Sequence, residues 1–285
     1  MFRFTQISLF AFTLFGQVLD LGKPPASRSI PSDKPPTVQV RTLANGLSVV
    51  MVQDRRFHLI TVRLSFRAGA RLDPPSLPGL SETVAALLNE GTQSRSARKL
   101  AEDLASIGGS IHGAARADSL TLAGNAPPEN ADRLLDLLAD VARNASFPED
   151  EVRLHVQNRK QELMAQLAES VFLAPRKLNE VVFGASPTSQ LAPTMESLGR
   201  IDRRALLEFR DRYPAPNNAV LVVLGRAPAS AHYEKLIEQR FGTWRRKVMT
   251  IPALVPQLPS VKPRIVRVGQ RGSVQDNASF RLDRH

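Results

Sequence analysis

The chain has 285 residues, of which 42% are apolar and 23% charged, a balance that excludes an intrinsically disordered polymer and allows one large or two modest globular domains. Lys and Arg outnumber Asp and Glu by 38 to 27, but the surplus is dispersed through pairs such as Arg55-Arg56, Arg203-Arg204 and Arg245-Arg246, without the long basic run or aromatic interleaving of a nucleic-acid interface. Cysteine is absent, which excludes disulfides, thiolate metal sites and a cysteine nucleophile while leaving the compartment open.

Residues 1–22 form a signal-like segment in which Arg3 precedes the apolar stretch Ile7 to Phe15, too short to span a bilayer. The charge followed by the apolar stretch reads as a secretory signal, so a periplasmic or cell-envelope location is expected. No clear small-x-small pair follows and Asp20 comes early, which leaves an uncleaved interfacial anchor as the alternative. Residues 23–37 carry five prolines and are expected to be an extended tether that joins no sheet ladder.

The main domain is expected over 38–248. Val38 to Arg41 alternates, Asn45-Gly46 offers a residue pair suited to positive φ, and Leu47 to Val52 continues, which predicts a hairpin. Ile60 to Phe66 follows, with Ile60, Val62, Leu64 and Phe66 on one face and Thr61, Arg63 and Ser65 on the other, as in a sheet with one covered face. Pro74, Pro75 and Pro78 then break the chain before Leu80–Leu88, where Leu80, Val84, Leu87 and Leu88 recur at helical spacing. A second helix is predicted from Ser96 to Ile107, closed by Gly108-Gly109, and two short strands flank Arg116-Ala117-Asp118 between Ser110 and Gly124.

Helices are predicted over 130–143, with Leu134, Leu135, Leu137, Leu138 and Val141 inward, over 148–168 with a polar middle, and over 202–212. Ala219 to Gly225 is an apolar strand and 229–241 a last helix. The order of elements predicts an α+β fold, a two-layer sandwich of largely antiparallel sheet with helices on one face. Residues 249–263 read as a Pro-rich linker, and 264–285 as the start of a truncated second half opening on the alternating strand Ile265 to Val268.

Several runs in this order carry a resemblance: Leu43-Ala44-Asn45-Gly46-Leu47, Phe66-Arg67-Ala68-Gly69-Ala70-Arg71, Pro78-Gly79-Leu80, Glu90-Gly91-Thr92, Phe147-Pro148-Glu149 and Tyr213 to Gly225. Together they resemble the insulinase/pitrilysin zinc metallopeptidases and the related processing peptidases, over roughly residues 38 to 245. The resemblance implies one α+β half of a two-half enzyme that closes around an extended peptide, zinc being the cofactor of active relatives.

In active members the helix between the Pro-Gly-Leu turn and the Gly-Thr end carries H-x-x-E-H, two zinc-binding histidines around a Glu that activates water. Here the window is Glu82-Thr83-Val84-Ala85-Ala86: Glu82 and Ala86 stand at the histidine positions and Ala85 at the catalytic Glu. The third ligand position falls on Glu162, whose alternative is a solvated helix carboxylate paired with Arg159 or Gln166. A catalytic zinc needs three protein ligands, so no catalytic residue and no bound metal is expected. Of the five histidines, His58, His232 and His285 are expected at the surface. A rearranged His112/His155/Glu162 cluster has no recognised ligand spacing.

These readings predict a non-catalytic half or subunit. The strand Ser110-Ile111-His112-Gly113-Ala114-Ala115 would offer its edge to an extended peptide, and a zinc-bearing homologous subunit would be the partner. Two alternatives stand beside this: a working zinc metallopeptidase with displaced ligands, and a structural scaffold comparable to the silent core subunits of respiratory complexes.

Overall fold

The computed structural model describes residues 36–54, 56, 58–183, 192–226 and 231–249. The signal-like segment, nearly all of the tether and linker, the strand expected at Ile265 to Val268 and His285 lie outside these residues.

Six strands form one sheet: β1 (Thr37–Thr42), β2 (Ser48–Gln53), β3 (Ile60–Phe66), β4 (Ser110–Ala115), β5 (Leu120–Ala126) and β6 (Ala219–Gly225). Their order across the sheet is β1-β2-β6-β3-β5-β4. The first strand already begins at Thr37, a residue the sequence had assigned to the tether. Every neighbouring pair is antiparallel except β2 with β6, so the expected largely antiparallel sheet holds with one parallel seam. That seam arises because β6, some 170 positions after β2 in the chain, slots between β2 and β3. The turn after β2 therefore leads to a strand that is not its neighbour.

Alternation within the strands sets one covered and one open face. Val49 and Met51, Ile60 to Phe66 in steps of two, Leu120 and Leu122, and Leu221 and Val223 are buried. Each such aliphatic or aromatic side chain contributes about 1.5–3 kcal/mol when fully removed from water. Their alternates are part-exposed or exposed, Arg63 and Val220 among them. This open face is aliphatic along β1, β2 and β6, with Val38, Val40, Val50, Val52, Val220 and Val222, and polar along β3, β5 and β4.

Among the described residues there are eight α-helices: α1 (Leu80–Leu87), α2 (Ala97–Ser106), α3 (Ala131–Asn144), α4 (Glu149–Leu167), α5 (Ser170–Phe183), α6 (Met195–Arg200), α7 (Arg203–Arg212) and α8 (Ala231–Phe241). Of these α1, α2 and α3 pack on the sheet, α4 and α7 pack on α1, α8 packs on α3, and α5 and α6 pack on α4. Local signals placed most of them. Ser96 caps α2 by accepting from the Lys99 amide, Asp202 caps α7 by accepting from Ala205, and Gly108 ends the turn after α2 at φ +59°. The helices α5 and α6 were not foreseen; α5 contains Pro175, and α6 is a short turn held by a Thr194/Ser197 capping box. At the β1–β2 turn only Gly46 uses positive φ. Asn45 does different work: its amide donates to the carbonyl oxygens of Phe241 and Trp244 at 2.7 and 3.1 Å, pinning the turn to the end of α8.

Candidate functional site

The helix carrying the Glu82–Ala86 window is fixed at three points. At its start, the Asp73 carboxylate accepts from the amides of Gly79 and Ser81, each at 2.9 Å. Burial outweighs these donors and pushes the Asp73 carboxyl up to about 6. Along its length Leu80, Thr83, Val84, Ala85 and Leu87 are buried. At its far end the Asn89 amide donates to the Ile111 carbonyl of β4.

The contact between α1 and β4 is close enough to need a glycine. A Cβ placed on Gly113 would lie 2.1 Å from the Ala85 carbonyl oxygen. Ala85 is itself only 2% exposed, so the position where the catalytic Glu would stand is a packed contact between backbones. Glu82 and Ala86, one turn apart, are exposed on the opposite side of the helix.

Facing them is α4, of which only Val152 and Leu163 are fully buried. Arg159 reaches across from α4. Its Nη2 lies 3.1 Å from Glu82 Oε1 and its Nη1 3.2 Å from Glu162 Oε2. The arginine side chain is 17% exposed, against 49% for Glu82 and 62% for Glu162, so the cation is the inner member of the group. Its Nε is buried without a hydrogen-bond partner. One turn earlier, burial lowers the pKa of His155, a trend that Arg159 reinforces and Glu82 and Glu162 oppose. Further along the same helix pair, burial and the neighbouring Glu151 raise the pKa of Glu90.

These residues do not fit a zinc ion. The window supplies one carboxylate and two methyl groups, and the carboxylates at 82 and 162 both face a guanidinium instead of standing free as metal donors, Glu162 accepting a hydrogen bond from it and Glu82 ion-paired with it. Among the described residues no three His, Asp or Glu side chains are grouped so that they could hold a metal. His112, His155 and Glu162 therefore do not assemble as a ligand set. His58 is exposed, and His232 meets Asp132 at 3.1 Å on the surface.

The residues singled out for peptide binding fall together on β4, an edge strand of the sheet at the side opposite β1. Ser110, His112 and Ala114 are exposed on the open face, Ile111 is buried, and Gly113 and Ala115 are part-exposed. Because Asn89 takes the Ile111 carbonyl on the outer side, strand alternation turns the backbone groups of Gly113 and Ala115 the same way. Two residues that matter here escaped sequence reasoning, and a third, Arg159, was named only as a neighbour of Glu162. Asp73 and Asn89 hold α1 through side chain to backbone bonds across loops, which no local pattern announces. Arg159 had a signal, since it lies four residues after His155 and three before Glu162, on one helix face.

Comparison with known proteins gives a consistent answer. A family model described as insulinase (peptidase family M16) matches residues 48–191. A protein of Rickettsia bellii named an uncharacterized zinc protease is 22% identical over 201 residues, covering 70% of this chain and 48% of that protein. A probable mitochondrial-processing peptidase subunit beta of Arabidopsis thaliana is 24% identical over 209 residues, covering 72% of this chain and 38% of its own. Among solved structures, the peptidase M16 inactive domain of Pseudomonas fluorescens superposes with a TM-score of 0.67 at 21% identity, over 74% of this chain and 52% of that one. The chain spans about half the length of the curated relatives it matches.

Proposed function

This chain belongs to the insulinase family, peptidase family M16, and from that premise we propose that it acts as a non-catalytic half, binding an extended peptide and pairing with a zinc-bearing homologous subunit. The observation that carries this reading is the α1–α4 face. There Ala85 and Ala86 have no donor for a metal, and Glu82 and Glu162 are both ion-paired with Arg159. Without a bound metal the usual means of lowering a water's pKa toward 7 is missing, and without a carboxylate at 85 so is the general base. What remains is a binding surface. The edge of β4 offers the Gly113 and Ala115 backbone to a peptide strand, and the alternate side chains Ser110, His112 and Ala114 border it.

The partner reading is supported by the names of relatives that are subunits. A location in the cell envelope is part of the proposal, supported by Arg3 and the apolar stretch behind it.

A single experiment tests the proposal in parts. The purified chain, alone and with an H-x-x-E-H-bearing homologue from the same genome, is assayed for co-elution, zinc content and cleavage of an unstructured peptide, with peptide binding read by fluorescence anisotropy. We expect no cleavage and no stoichiometric zinc from the chain alone, co-elution with the homologue, and at least about tenfold weaker binding of a peptide whose alternate backbone amides are methylated. Cleavage by the lone chain that a chelator abolishes would establish the displaced-ligand enzyme instead. Co-elution with no peptide affinity would favour the scaffold.

A further inference from the structure

We infer that Arg159 is this chain's internal substitute for a metal ion: a fixed guanidinium that pairs with both carboxylates remaining at the zinc positions and ties α1 to α4. The inference rests on reading this face as metal-free and is independent of whether the chain binds peptide or a partner. A cation binding between α1 and α4 would have to draw Glu82 and Glu162 toward one centre. Arg159 does that from within, with one Nη toward each acid at 3.1 and 3.2 Å. The guanidinium is suited to the task because it stays charged and presents donors on separate edges of a rigid plane, so a single side chain can serve two acceptors on different helices. Its burial relative to the acids places the positive charge inward and the negative charges outward, the order of ion and ligands in a metal site. Ala86, one turn from Glu82, leaves the outer side of the group open, and His155 senses all three charges.

Separately, either ion pair is too exposed to contribute much. The role appears when the cation is removed, because the two acids are then left facing one another across the helix contact. Arg159→Met keeps the aliphatic stem and drops the charge; Arg159→Lys keeps the charge and loses the fork. The full chain is prepared as wild type, as these two variants, as Glu82→Gln/Glu162→Gln, and as that pair combined with Arg159→Met. Thermal unfolding of each is followed in a chelator and with added zinc. We expect Arg159→Met to lower Tm by about 2–4 °C, Arg159→Lys to fall in between, and Arg159→Met in the Gln/Gln background to cost nothing further. Zinc should raise the Tm of Arg159→Met while leaving wild type and the triple variant unmoved, since only the single variant has freed carboxylates. Equal losses in both backgrounds would mean that the guanidinium acts by packing or through other partners and not through the two acids, and would overturn the inference. So would an unchanged Tm in Arg159→Met, or a zinc-induced rise in wild type as large as in the variant. Co-elution with the homologous subunit, measured on the wild-type chain, reports on the proposed function whichever way this comes out.

Discussion

The two sides of α1 obey different rules. Toward the sheet, Leu80, Val84, Ala85 and Leu87 are buried and the backbone comes so near β4 that Gly113 must lack a side chain. Away from the sheet, Glu82 and Ala86 are exposed and Glu82 meets Arg159 of α4. On the first side volume is fixed to within a methyl group, because close packing leaves nowhere for extra or missing atoms to go. On the second, nothing but chemistry constrains the residue, so a ligand position can become an alanine while the helix stays in place. A fold of this family can in this way keep its packing while its metal ligands change, as we propose for this chain.

The strongest way to break the comparison is to cut into the packed side. Leu87→Ala, 3% exposed, should cost about 3 kcal/mol through lost transfer energy and the cavity left behind, or roughly 6–12 °C in Tm for a domain of this size. Calorimetry or thermal circular dichroism reads it directly. A loss below about 1 kcal/mol would show that α1 is loosely seated and that its two sides do not differ as described.

Gly113→Ala probes the same contact by addition. The new Cβ would meet the Ala85 carbonyl oxygen, a backbone atom that cannot swing aside, so α1 and β4 must separate at a cost of about 2 kcal/mol. Urea unfolding should show a lower midpoint with an unchanged slope, the signature of altered stability without altered compactness. If the variant is neutral, β4 has room to move and cannot be the rigid edge required for peptide capture.

The same division governs what the sequence made legible. Buried positions repeat at intervals of two or of three and four, and so the strands Ile60–Phe66 and Ala219–Gly225 and the helix over 80–87 could be read from periodicity within a residue of their ends. The parallel seam between β2 and β6 could not, because pairing between segments so far apart is decided by three-dimensional fit and not by any local pattern. Helix α5 was missed for a local reason: Pro175 is a breaker that the surrounding fold overrides. At the site, the Glu82–Ala86 window could be read from the sequence, whereas the reach of Arg159 to Glu82 depends on how α1 and α4 lie together. The ion pair with Glu162, three residues along the same helix, was the part that spacing could show.

Asp73, at the start of α1, sharpens the comparison through pH. Its carboxyl ionises near 3.8 in the unfolded chain and at about 6 when folded, where burial holds it protonated. Between those values the unfolded chain has released a proton that the folded one retains, so deprotonation favours unfolding and stability from this group declines as pH rises from about 4 to about 6. Relative to Asp73→Asn, which does not titrate, wild type should lose on the order of 2 kcal/mol across that window and hold a constant offset above about pH 7. Parallel Tm measurements at closely spaced pH values check the sign. A wild type that gains on the variant over the same window would mean that the Gly79 and Ser81 amides, not burial, control the carboxyl.

The smallest effect is expected one residue before the largest. Ala86→Gln replaces a methyl on the outer side of α1 with a longer polar chain, and Gln is nearly as good a helix former as Ala. Ala86 is exposed, so the new side chain can extend into solvent over the α1–α4 face, and stability should change by less than about 0.5 kcal/mol. Set beside Leu87→Ala, the pair measures the contrast between the two sides of one helix with substitutions at adjacent residues. The result also reports on what covers that side. If Ala86→Gln costs more than about 1 kcal/mol in the full chain, atoms outside the described residues pack on the outer face of α1, and the surface assigned to solvent and Arg159 is an internal contact. If stability is unchanged but co-elution with the zinc-bearing homologue is lost, this face is where the partner docks, and the two sides of α1 divide between holding the domain together and meeting another chain.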